Sequence, residues 1–118
     1  MKKLLLLLAL VAGTVHADDI AEAEESAIED GASLQICAML VETAYDEVRK
    51  PLARKLYLNH MEAHKHIPQF QFAVDTRANL KAAVLVQTKT GAKELEKCRL
   101  SLDHAAYALA TTMVNKEQ

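Results

Sequence analysis

Residues 33–50 read SLQICAMLVETAYDEVRK, and their spacing decides the fold class. Leu34, Cys37, Ala38, Val41, Tyr45 and Val48 recur every three or four positions, the period of one helix face. Ile36 and Leu40 widen that face, which predicts a central helix. Residues 92–114 repeat the pattern in Leu95, Cys98, Leu102, Ala105, Leu109 and Met113, predicting a long final helix with a continuous apolar stripe.

Weaker segments flank these two. Residues 18–30, DDIAEAEESAIED, form a short acidic helix on Ile20, Ala27 and Ile28, with Gly31 placed to end it in a left-handed conformation and Ser33 to cap the next. Pro51 stops the central helix or starts the next one, since its ring forbids an interior hydrogen bond. Residues 52–66 again read as helix, with Leu56, Met61 and Ala63 inward, Arg54 and Lys55 outward, and Pro68 at the end. Phe70, Phe72 and Val74 alternate in QFQFAV, the period of an extended linker. Asp75 can cap a helix from 76 to about 89 with Leu80, Ala83 and Val84 inward, and Gly91 breaks the chain after it. The expectation is an all-α bundle of four or five helices in one domain, residues 18–118, with no sheet.

Residues 1–17, MKKLLLLLALVAGTVHA, have the form of a signal peptide. Lys2 and Lys3 are the charged start, Leu4 to Ala12 the apolar stretch, and Val15 and Ala17 the small residues before a cut at Asp18. The apolar stretch is too short to span a bilayer, and no later segment is apolar enough. The expected location is the bacterial periplasm or the exterior. An oxidising compartment permits a disulfide, and Cys37 and Cys98 are the only cysteines. Both lie on apolar stripes, so one bond would staple the central helix to the last.

Charge is segregated along the chain. Residues 18–48 hold ten acids and no Lys or Arg; residues 49–118 hold 12 basic and six acidic residues, a net of +6. Either the two halves attract one another within the fold, or residues 18–30 form a mobile acidic arm that meets a basic partner. Arg49, Lys50, Arg54 and Lys55 form the basic counterpart and are the partner-binding candidates. An export signal and an acidic total exclude a nucleic-acid binder.

Chemistry-bearing motifs are few. His60 and His64 stand four apart on one helix face, a spacing at which two imidazoles grip one Zn, Cu or Ni ion. Glu62 is on the wrong side to join them, and the pattern is not HExxH. His66 joins only if the helix frays before Pro68. His104 is a conceivable haem ligand that no pattern selects, and the absence of CxxCH excludes covalent haem. Ser26, Ser33 and Ser101 lack a nucleophile-elbow context, and adjacent Asp103 and His104 point apart. The sequence therefore reads as a non-enzyme acting by protein–protein contact, as inhibitor, immunity factor or holdase. Its alternative is a metal-binding protein using His60 and His64. In outline the plan resembles small periplasmic helical proteins, among them acid-stress chaperones and immunity proteins that neutralise cell-wall toxins; the resemblance carries over no residue.

Overall fold

A computed structural model describes the backbone of residues 2–117 and the side chains of residues 21–115. Among the described residues it contains four α-helices and no strand: α1 (Lys2–Thr43), α2 (Lys50–Ala63), α3 (Phe70–Thr88) and α4 (Gly91–Glu117). The expected leader, residues 1–17, lies outside the residues whose side chains are described. No helix among the described residues is long and apolar enough to cross a membrane.

The two helices expected on either side of Gly31 are one. Gly31 lies inside α1 with an ordinary negative φ. Its missing side chain serves packing: a Cβ there would sit 2.9 Å from Val74 Cγ2 and 3.3 Å from His60 Cδ2. Val74 is β-branched and fully buried, so it has no room to retreat. The glycine lets α3 lie directly on α1.

Among the described residues three clusters make the core, and α1 contributes to each. Ala27 packs with Ile67, Phe70 and Val74. Ala32 and Ile36 pack with Ala78 of α3. Val41 packs with Ala53 of α2 and with Cys98 and Leu102 of α4. Four alanines among these buried residues let the helix axes come close.

The break expected at Gly91 is present between α3 and α4, but the left-handed residues that end α1 and α3 are not glycines. Tyr45 takes the left-handed conformation at φ 56°, the Tyr45 N–H donates to Glu42 O, and the Asp46 N–H donates to Val41 O. That pair of bonds is a Schellman ending, so the central helix stops at Thr43, before Pro51. Pro51 instead occupies the first turn of α2. Lys89, also left-handed, ends α3 in the same way through Thr90 N–H to Leu85 O, and Gly91 opens α4.

The early stop leaves Tyr45 and Val48 exposed, although their spacing matched the inner stripe. QFQFAV is not a linker but the first turns of α3, where Phe70 and Val74 share the buried face and Phe72 points outward. Asp75 is consequently inside the helix rather than capping it. Leu80, Ala83 and Val84 are exposed, and Ala78, Ala82 and Leu85 face inward in their place. Ala63, expected inward on α2, is exposed; Ala53 is the buried alanine of that helix.

Cys37 and Cys98 stand at disulfide distance, with Cα atoms 5.4 Å apart, and join α1 to α4. The bond spans 61 residues, which the chain-entropy account values at about 4 kcal/mol.

Two stability measurements follow from this packing. Gly31→Ala is expected to destabilise by about 1–3 kcal/mol in chemical denaturation, overpacking outweighing the gain in helix propensity. In a Val74→Ala background the same change should be neutral or stabilising; equal loss in both backgrounds would remove the close-approach role. Cys98→Ser should melt well below the wild type, and an unchanged melting temperature would deny the bond its structural role.

Candidate interaction surface

The basic candidates separate into two groups. Arg49 is consumed inside the fold. Its Nε and Nη2 each donate at 2.9 Å to the two carboxylate oxygens of Asp103, and its Nη1 donates to Asp46 Oδ2 at 3.0 Å. Asp46 also accepts from the Arg49 backbone N–H at 3.2 Å and from Arg99 Nε at 3.1 Å. The side chain of Asp46 is only 7% exposed. These four residues clasp the turn after α1 to α4, one turn beyond the cysteine pair. The Asp46–Arg49 spacing of three was visible in the sequence; Asp103 and Arg99, more than fifty positions away, were not.

Lys50, Arg54 and Lys55 have no ion-pair partner among the described residues. Lys50, Arg54 and Leu58 follow positions i, i+4 and i+8, and Pro51 and Lys55 form the adjacent i, i+4 row, so together they make the outer face of α2 while Leu52, Ala53 and Leu56 face the core. They line a shallow groove of about 480 Å³ together with Glu47, Pro51, Leu58 and Asn59. Leu58 is exposed, and the turn leading into α2 exposes Tyr45 and Val48 at 83% and 87%. Sequence periodicity hid both of these by assigning them to the core.

Two carboxylates of the acidic segment are met from within, while Glu22, Glu24 and Asp30 have no ion-pair partner among the described residues. Glu25 pairs with Arg77; Glu29 pairs with Arg77 at 2.8 Å and with Lys81. With Ala27 buried between them, α1 is held to α3 from Glu25 onward. Lys81 and Arg77, hydrogen-bonded to Glu29, hold its carboxyl below the ordinary range against a small opposing effect of burial.

His60 and His64 do share one face, with ring centroids 4.3 Å apart. Each already makes one backbone contact: His60 Nε2 donates to Ala27 O at 2.7 Å, and His64 Nδ1 donates to His60 O at 2.8 Å. A carbonyl only accepts, so the proton sits on those nitrogens, leaving His60 Nδ1 and His64 Nε2 with lone pairs. Among the described residues, no group of three His, Cys, Asp or Glu is placed to hold a metal ion. His66 is exposed, its ring centroid 6.4 Å from that of His64. His104 is exposed on α4, beside Leu100, Ser101, Ala105 and Ala108.

The clasp sets an acid limit on stability. Burial pushes the Asp46 carboxyl up, but the Arg49 backbone N–H, Arg99 and the Arg49 guanidinium together bring it below its ordinary value. Arg49 likewise lowers Asp103. Carboxyls lowered in the folded state bind fewer protons there than in the unfolded chain. Their contribution is therefore complete above the ordinary carboxylate range near pH 4 and is lost as pH falls through the lower folded values. The melting temperature should fall on acidification below about pH 4, and Asp46→Asn should lower it at neutral pH and flatten that acid limb. An acid limb as steep in Asp46→Asn as in the wild type would take Asp46 out of the account.

Comparison of the chain with protein-family models, with curated proteins and with solved structures gives no match in any of the three.

Proposed function

We propose that the chain is an exported, non-catalytic helical protein of the periplasm or exterior that acts by contact with another protein. The inhibitor, immunity-factor and holdase types all fit that description. The leader-like residues 1–17 support export. The contact surface is the outer face of α2 with the turn before it.

One observation carries the reading. Among the described residues the fold pairs Arg49, Arg77, Lys81 and Arg99 with its own carboxylates. Lys89, Lys93 and Lys97 also lack an ion-pair partner, but Lys50, Arg54 and Lys55 line one groove together. Next to them the fold exposes Tyr45, Val48 and Leu58. An apolar anchor ringed by uncommitted charge is the composition of a contact surface whose charges steer and whose apolar residues hold. The matching partner presents an acidic segment with an apolar residue to seat beside Leu58.

A second reading, a metal-binding protein, draws support from the His60–His64 pair and its two remaining lone pairs. With two protein ligands, affinity for Zn, Cu or Ni would be modest, which places it behind the contact reading.

Native mass spectrometry of the protein taken from its own cells separates the two. The expected spectrum shows a chain beginning at Asp18 with a bound protein that is lost in Lys50→Glu/Arg54→Glu/Lys55→Glu and retained in His60→Ala. A bound metal lost in His60→Ala, with no protein partner, would install the second reading. A partner retained by the triple variant would move the contact off α2.

A further inference from the structure

α4 outruns the bundle. Its first half is covered: Cys98 and Leu102 are buried against Val41 and Ala53. α1 runs beside it in the same direction, Cys37 opposite Cys98 and Val41 packed with Leu102, but α1 ends at Thr43. The last tie to α4 is the Arg49–Asp103 pair. Residues 106–115 are exposed throughout, while the helix continues for about 15 Å beyond its support.

The face does not change character where its cover stops. Leu95, Cys98, Leu102, Ala105 and Leu109 alternate steps of three and four, a coiled-coil seam, and Met113 follows one turn on. Leu109 is 47% and Met113 65% exposed. The sequence between Asp103 and Lys116 contains no Asp, Glu, Lys or Arg. A solvated helix face is normally charged, and a helix that lies on a membrane surface carries basic residues along its polar side. This segment has neither, a composition suited to an uncharged protein face.

We propose that the cover is a second copy of the chain, with the two α4 ends packed antiparallel about a two-fold axis at Leu109. Sequence and size choose this arrangement. The two-fold places Met113 of each copy over Ala105 of the other, a large side chain on a small one, and Leu109 on its own counterpart. A parallel pair would set Met113 against Met113 and leave a gap between the two Ala105 residues. Antiparallel helix dipoles also attract. No charge is buried on either side. About three turns from each copy bury on the order of 1,000 Å² in total, the lower edge of specific interfaces, so the dimer is a weak one. This surface is separate from the α2 face, and either can fail without the other.

The test is sedimentation equilibrium of the full chain lacking residues 1–17 only if the cell removes them, from about 1 µM to about 1 mM. The expected mass rises from one chain to two. Leu109→Glu should weaken pairing at least about a hundredfold while leaving circular dichroism and melting unchanged, since Leu109 belongs to none of the core clusters. Under mild oxidation Leu109→Cys should give a covalent dimer and Ala105→Cys should not. A single-chain mass over the whole range, a dimer indifferent to Leu109→Glu, or equal cross-linking of both cysteine variants would overturn the proposal. Binding of monomer to anionic lipid vesicles, abolished by Leu109→Glu, would assign the face to a lipid surface and overturn it as well.

Discussion

The structure depends on α1 passing through Gly31 without a break. Three separate clusters draw on α1 between Ala27 and Val41, and they lie on different sides of it. A helix broken at residue 31 would divide those clusters between two bodies joined by a hinge. Gly31 costs α1 about 1 kcal/mol in propensity relative to Ala. The cost is accepted because the vacated volume admits Val74, one of the two largest fully buried side chains. The same approach brings His60 over α1, where its Nε2 reaches the carbonyl of Ala27. A helix-breaking residue thus holds a helix to its neighbours.

Charge follows a parallel logic. The acidic first third and basic remainder would repel internally if each folded alone. Folding sets them face to face, at Glu25 and Glu29 with Arg77 and Lys81, and at Asp46 with Arg49 and Arg99. The exposed pairs on Glu25 and Glu29 each contribute little. The stronger effect of the ion pairs is on orientation, because a wrongly docked α3 or α4 would leave like charges opposed. Among the described residues the cations left unpaired fall in two places, Lys50, Arg54 and Lys55 on the outer face of α2 and Lys89, Lys93 and Lys97 from the end of α3 into α4; the first three line one groove.

Much of the fold was legible because it rests on period. The helical class, the long last helix and the inward phase of Cys37 and Cys98 all came from three-and-four spacing in residues 33–50 and 92–114. What sequence could not supply was where the pattern loses its cover. Tyr45, Val48, Leu109 and Met113 continue the stripes and are nevertheless exposed. A stripe records which face a residue is on, not whether another helix reaches it. Punctuation failed in part, for a related reason. Gly91 does stand at the break between α3 and α4, but Gly31 does not end a helix, and the left-handed positions fall on Tyr45, Gln69 and Lys89. QFQFAV failed because two residues of Phe at i and i+2 fit a strand period, while the helix buries only Phe70 and uses Val74 as its companion. Of the candidate site, Lys50, Arg54 and Lys55 were legible as a patch. The removal of Arg49 from it was not, because Asp103 lies 54 positions away.

The cysteine pair and the arginine clasp together explain why α4 has two characters. Cys37 and Cys98 fix the register of α4 on α1, and Arg49 repeats the tie at Asp103, five residues further on. Between these points the helix is held by one covalent and one bidentate contact, so Cys98 and Leu102 stay buried although the surrounding core is built from small side chains. Register is thereby set from the middle of α4. The length of the helix beyond Asp103 is free of any demand from the bundle, and so is its composition. If that length served only solvent exposure, charged residues would be the least costly choice there. Its Ala, Leu and Met along the same face as Leu102 are what a continuing contact requires, and the proposed pairing of two α4 ends supplies one.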